Sequence, residues 1–463
     1  MKGFLVISAL GILAMLAEVL KFKKMLLPLV TLGLLAAFGL NYMEWDQPFT
    51  ISYFDNMIRF DQVGLAFSGV LIITVLFWFF LSNSHYQEKT FKVDHYALVL
   101  FALTGGLMLT AFTNMTTLFI GVEIMSIPLY VLAASSKQDI HSNEAGFKYL
   151  IMGAFASAIL LFGIALIYGA SGTFDLNEIR TYIAVNSDNL PSFFYAGVVM
   201  MLIAMTFKVS AAPFHFWAPD VYQGAPTLIT ALMSTVVKTA AFAAFMRLFM
   251  VGFAGVSDMW TNILIVVVAA SLIIANVTAA VQTNVKRVLA YSSISHAAFM
   301  LMVILANIQS NLSVNIILYY SLAYSIGSIT AFGVLNKVTT YGNESFDAFN
   351  GLAKRSPLIA VCMTIAMLSL AGIPVTAGFF AKYYVFTAMM NTPYKWLLIL
   401  AVLTSAVGVY YYFKVIIAMY FKKSESESAL QADGLSVFVI TVTAFITLVI
   451  GLMPSLIAEM FAV

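Results

Sequence analysis

The feature that most limits what this chain can fold into is its succession of apolar stretches, each close to the roughly twenty residues a helix needs to cross a hydrocarbon layer. On that template fourteen spans are predicted, at 2–20, 25–42, 62–82, 95–113, 115–134, 146–169, 194–222, 226–250, 262–283, 286–307, 313–337, 357–388, 394–421 and 433–459. In lipid a segment must satisfy its own backbone polar groups, and runs of this length do so as helices. Of the 463 residues 62% are hydrophobic and only 10% charged, too little polar surface to cover a water-soluble globule. The expected fold class is all-α, a polytopic membrane protein. The opening stretch, "MKGFLVISALGILAMLAEVLKFKK", resembles a signal peptide. Its apolar run is nearly membrane-length, however, lacks an A-x-A site and leads straight into another span, so it reads as the first helix.

Most of the 23 Lys and Arg residues sit in alternate loops: Lys21, Lys23, Lys24, Lys89, Lys92, Lys137, Lys148, Lys286, Arg287, Lys337, Lys354, Arg355, Lys422 and Lys423. The opposite loops and the chain ends hold Lys2, Arg59, Arg180, Arg247 and Lys395. By the positive-inside rule the richer loops are cytoplasmic and both termini face outward. Spans 7 and 12 exceed a single crossing, and each is interrupted, the first by Pro213 and Pro219, the second by "AGIP" with Gly372 and Pro374. They are five apart, so spans 4–8 and 9–13 would form two five-helix repeats of opposite topology, each with one discontinuous helix. Interrupted helices in corresponding positions mark transport sites. The expected units are 1–94, 95–250, 251–421 and 422–463.

Four lysines remain inside spans: Lys208, Lys238, Lys382 and Lys414. A charge at the bilayer centre costs about 2.5–3.5 kcal/mol on insertion scales, so such groups face a wet or protein-lined interior. Glu123 in "TTLFIGVEIMSIPLYVL", Lys208, Lys238 in "ALMSTVVKTAAFAAF" and Lys382 in "AGIPVTAGFFAKYYVF" read as a proton relay, with a Glu123–Lys208 ion pair offsetting part of the cost of burial. The competing reading is that the lysines snorkel, their stems stretched to an interface; that is the reading preferred for Lys414. His296 in span 10 is either an intermediate carrier, since imidazole titrates near neutrality, or a packing residue bonded to a neighbouring helix. His215, beside the span 7 break, reads as bound to a freed carbonyl, and Asp220 and Arg287 as loop-fixing charges.

One cysteine, Cys362, and five scattered histidines give no basis for a disulfide, zinc or iron-sulfur framework. The sequence lacks a G-x-G-x-x-G turn and a G-x-x-x-x-G-K-[ST] loop, so no nicotinamide or ATP site is expected, and the energy for transport must come from an ion gradient or a partner.

"LFIGVEIMSIPLYVLAAS", "FKVSAAPFHFWAPDVYQGAPT", "NVKRVLAYSSISHAAFML" and "LAGIPVTAGFFAKYYVF" resemble the antiporter-like membrane subunits of proton-pumping NADH:quinone oxidoreductase, respiratory complex I. The likeness covers most of the chain and is strongest over 105–300 and 368–386. It implies a non-redox subunit of a translocase in which Glu123, Lys208, Lys238 and Lys382 belong to a hydrated axis and quinone reduction elsewhere drives proton transfer. It further implies no cofactor on this chain, with NADH, FMN, iron-sulfur clusters and a quinone in the rest of the complex. Implied neighbours are subunits M, K, J, A and H, in a bacterial inner membrane. Subunit M usually has a glutamate where Lys382 stands, and subunit L a long lateral helix after its last span, whereas this chain stops at Val463; neither is the expected branch. Span 11 departs from several relatives in lacking a central lysine or histidine, which leaves the transfer from Lys238 to Lys382 to water, Tyr324 or His296. The alternatives are an Mrp-type cation/proton antiporter and a structural subunit whose charges only fix helix packing.

Overall fold

Eleven helices among the described residues are long and apolar enough to cross a membrane, and three shorter apolar ones, Lys2–Ala17, Ser192–Lys208 and Pro357–Ala371, stand where further spans are predicted. The computed structural model describes residues 1–17, 25–45, 52–87, 93–306, 313–339, 344–423, 430 and 432–455. Lys21, Lys23, Lys24, Lys89 and Lys92, part of the orientation argument, lie outside these, as does Val463.

Three helices open the chain: α1 (Lys2–Ala17), α2 (Leu26–Met43) and α3 (Gln62–Gln87). The first five-span unit comprises α4 (Val93–Ala111), α5 (Met115–Ala133), α6 (Ile140–Ser171), a short α7 (Leu176–Val185), the broken pair α8 (Ser192–Lys208) and α9 (Trp217–Gly224), and the rod α10 (Thr227–Leu232) with α11 (Lys238–Met246). The second comprises α12 (Ser257–Val281), α13 (Val285–Ala306), α14 (Ser313–Val338), a single turn α15 (Leu352–Arg355), the broken pair α16 (Pro357–Ala371) and α17 (Ala377–Met390), and α18 (Lys395–Phe421). Helix α19 (Gly434–Leu452) closes the described chain.

Side chains start several helices where the sequence supplies acceptors for otherwise unpaired backbone amides. Asn114 accepts from the Thr116 amide, Asp139 from His141, Asp175 from Asn177 and Glu178, and Asp433 from Ser436. The two units are built in the same order: α4 packs on α5 as α12 on α13, and α6 on α8 as α14 on α16. Close helix contact in a membrane depends on small residues. A Cβ at Gly105 of α4 would lie 2.3 Å from the Met125 backbone nitrogen, so only glycine lets α4 meet α5 this closely.

The rod Thr227–Gly252 and α13 each contain an 18-residue stretch that is fully buried in protein. They form the core on which the charged residues converge. The predicted spans differ from the structure in three places. Helix α8 stops at Lys208, ahead of Pro213. The eighth span is not a plain α-helix but contains widened π-helical turns at Met233–Val237 and Arg247–Gly252. Helix α7 falls in a segment read as a loop; its buried Leu176, Ile179 and Ile183 seat it against the second π turn.

Candidate functional site

Glu123 and Ser126 are three residues apart on α5 and share a face. Lys208, the last residue of α8, donates from Nζ to Ser126 Oγ at 2.9 Å, and Ser126 Oγ donates to the Val122 carbonyl at 2.5 Å. The C-terminal end of a helix carries partial negative charge, which favours an ammonium there. The expected direct Glu123–Lys208 ion pair is not formed: Ser126, one turn further along α5, takes the amine. Glu123 is partly buried and lies close enough to act on Lys208 as a charge, while its Oε1 is sealed from the surface with no hydrogen-bond partner among the described residues.

Lys238 opens α11 directly after the first π turn. Such widened turns recur at functional positions because they turn side chains and free backbone groups. Its amine donates to both the main-chain oxygen and, at 2.9 Å, the hydroxyl of Ser293 on α13. The Tyr222 hydroxyl, on the short helix after the α8 break, lies beside Ser210 and Ser293, and Tyr324 of α14 lies beside Ser293 and Ser234.

His296 is one turn beyond Ser293 on α13. Its Nδ1 is 2.7 Å from the Tyr320 hydroxyl and its Nε2 3.2 Å from that of Tyr412, which also bonds Ser292. The Tyr324 ring lies 4.9 Å from the imidazole. A further turn along, the Phe299 face receives the Lys382 ammonium at 5.2 Å, an attraction between cation and ring quadrupole. Lys382 also donates to the Ala371 carbonyl at 2.8 Å, an end-of-helix acceptor that the second break leaves without an intrahelical partner. Ser293, His296 and Phe299, spaced i, i+3, i+6, thus make one stripe of α13 with Lys238 at one end and Lys382 at the other.

Lys208, Lys238, His296 and Lys382 are 5%, 1%, 5% and 7% exposed. Each amine is held by protein acceptors, which removes snorkelling for these three lysines. Lys414 instead donates to the Ala280 and Gln282 carbonyls at the end of α12, at 3.3 and 3.1 Å. Asp220, in the first turn of α9, accepts from Arg287 and Lys148 at 3.0 and 3.2 Å, tying α9 to α13 and α6. Of these partners only Tyr324 is expected from the sequence; the serines and Tyr222, Tyr320 and Tyr412 are not singled out there, and the one trace of them is the serine three residues before histidine in "YSSISH".

Residues 113–408 match the family described as NADH:quinone oxidoreductase/Mrp antiporter, TM. The chain is 43% identical to NADH-quinone oxidoreductase subunit N of Flavobacterium psychrophilum, over 99% of this chain and 100% of the relative. It is 42% identical to the subunit of the same name from Cytophaga hutchinsonii, over 99% of each. The chain belongs to the subunit N family of NADH-quinone oxidoreductase. The chain also shares the backbone of a chain in respiratory complex I from Thermus thermophilus with bound aureothin, at a TM-score of 0.84, 29% identity and coverage of 99% and 98%. A chain of the Mrp complex from Dietzia, at a TM-score of 0.86 and 19% identity over 99% and 95%, has the same fold. Antiporter-like architecture is thus common to both, while sequence places this chain with the oxidoreductase subunits.

Proposed function

We propose that this subunit N moves protons across the membrane through Glu123, Lys208, Lys238, His296 and Lys382, driven by NADH oxidation and quinone reduction in other subunits. The units 95–250 and 251–421 act as two coupled halves joined where Lys238 meets α13, with 1–94 and 422–463 as flanking helices. The reading places the chain in a bacterial inner membrane with both termini outside, beside subunits M, K, J, A and H. It binds no redox group itself; NADH, FMN, iron-sulfur clusters and the quinone belong to its partners.

The observation that carries this reading is the stripe on α13. A purely structural charge would be neutralised by a fixed counter-ion, yet Lys238 and Lys382 are buried on serine, carbonyl and aromatic partners, with an imidazole between them. Serine, tyrosine and histidine each both donate and accept, so a proton handed along them leaves every carrier as it began. Work against 100 mV costs about 2.3 kcal/mol per proton, and a pKa unit corresponds to about 1.4 kcal/mol. A change of about two units in one lysine's proton affinity therefore suffices, and moving a carboxylate relative to a buried amine supplies changes of that order.

Lys238→Ala tests it in the assembled complex. The expected result is normal assembly and flavin-linked NADH oxidation, with NADH-driven proton translocation in proteoliposomes reduced at least tenfold. Wild-type translocation would reduce Lys238 to a packing residue. Separation of this chain from flavin and iron-sulfur subunits during purification, with sodium- or potassium-coupled exchange, would favour the Mrp-type alternative.

A further inference from the structure

Tyr130 lies on the face of α5 that carries Glu123 and Ser126, close to both side chains. It is 6% exposed, and its hydroxyl is buried with no hydrogen-bond partner among the described residues. The ring is braced: it meets Tyr149 edge-on at 4.7 Å, and Tyr149 stacks on Trp217 at 4.9 Å. Room for the hydroxyl is provided by α6, where a Cβ at Gly153 would fall 2.1 Å from it. The other side of Tyr130 lines an open cavity of about 1240 Å³ between α4, α5, α6 and α10, whose rim includes Ser136 and Lys137. Buried phenol groups normally find a partner. This one is held rigidly between a cavity large enough for many waters and the Glu123–Ser126–Lys208 cluster.

We infer that Tyr130 is the hydroxyl through which protons pass between that cavity and the Glu123–Lys208 pair, with Gly153 setting its position. The inference rests on the proton-relay reading above and adds a residue and a route to it. In each transfer the phenol gives its proton, through an intervening water, to the Glu123 carboxylate while taking another from a hydrated proton in the cavity, so one O–H bond of the tyrosine breaks as one forms, the phenol stays neutral and Glu123 ends protonated. Reversal of the same exchange would carry a proton outward.

Tyr130→Phe keeps the ring stack and removes only the relay atom. In the assembled complex reconstituted in proteoliposomes, NADH-driven proton translocation should fall about tenfold or more, in line with the contribution of a positioned proton-transfer group. Gly153→Ala keeps the hydroxyl but displaces it, and should produce an intermediate loss. As a second probe on an unaltered Tyr130, Ser136→Cys at the cavity rim should pump normally until treated with a positively charged methanethiosulfonate, then lose translocation; Cys362, the chain's one native cysteine, is buried. Glu123→Gln is measured in parallel. If Glu123→Gln abolishes pumping while Tyr130→Phe and labelled Ser136→Cys pump like wild type, the route through Tyr130 is wrong and the relay stands. If Glu123→Gln also pumps normally, the relay reading itself fails. Should Tyr130→Phe not assemble, the labelled cysteine alone decides: retained pumping overturns the route and lost pumping supports it.

Discussion

Gly372 is the residue on which the geometry around Lys382 depends. It caps α16 at φ 84°, and a Cβ there would lie 2.7 Å from Lys382 Cδ. Left-handed backbone costs a residue other than glycine of order 1–3 kcal/mol, and the added methyl would also move the lysine stem off the Ala371 carbonyl. Gly372→Ala is therefore expected to lower the thermal midpoint of the purified complex modestly while reducing proton translocation per NADH severalfold; unchanged translocation would show that the lysine need not sit at the break. The lysines themselves were legible in the sequence because a charge in an apolar run requires an explanation wherever it occurs. Their partners were not. Ser126, Ser293, Tyr320 and Tyr412 belong to residue types common in any span, and only tertiary packing selects which of them meets an amine. The Glu123–Lys208 pair, plausible from charge alone, gave way to a serine one turn nearer.

At the level of elements, proline and glycine marked both broken spans, yet α8 ends at Lys208, five residues before Pro213. Proline's ring clashes with the carbonyl four residues back, here Val209, and disfavours helix in the residue before it, so the helix stops where that conflict begins. The π turns left no such mark, since Met233–Val237 reads as ordinary helix. Helix α7 could have been read from its Asp175 cap and the spacing of Leu176, Ile179 and Ile183, but it is far too short for a membrane-span template. The second π turn is tied down by Arg247, which donates to both carboxylate oxygens of Asp61 at the start of α3 and, at 2.7 Å, to the Thr110 carbonyl at the end of α4. Burial alone would raise the Asp61 pKa, but the Arg247 charge and hydrogen bonds, with the Gly64 amide, outweigh it and hold the carboxyl below its ordinary range. A depressed native pKa adds stability that is present above the unfolded-state value, about 3.9, and is lost as pH falls through the lower native value. Asp61→Asn should thus lower the thermal midpoint of the complex by a constant amount above about pH 5, and the gap should narrow below about pH 4. A gap of the same size at both extremes would mean the carboxylate charge does not contribute.

Across the whole molecule, the fourteen-span plan and the repeat of broken helices could be read from hydropathy and proline positions. How the halves join could not, because α13 belongs to the second unit yet supplies the Ser293 that holds Lys238 of the first. Under the relay proposed above, that joint makes the path a series: Glu123 and Lys208, then Lys238, then His296 and Lys382, with a single stripe of α13 between Lys238 and Lys382. Residues that act in one serial path show non-additive losses, because blocking any one step already stops transfer. Residues that merely stabilise separate helix contacts lose function independently, and their effects multiply. Lys238→Ala and Lys382→Ala should each reduce proton translocation about tenfold or more, and the double variant should be no worse than the weaker-pumping single one. If each single variant costs about tenfold and the pair about a hundredfold, the two lysines do not share a path, and the stripe between them is packing.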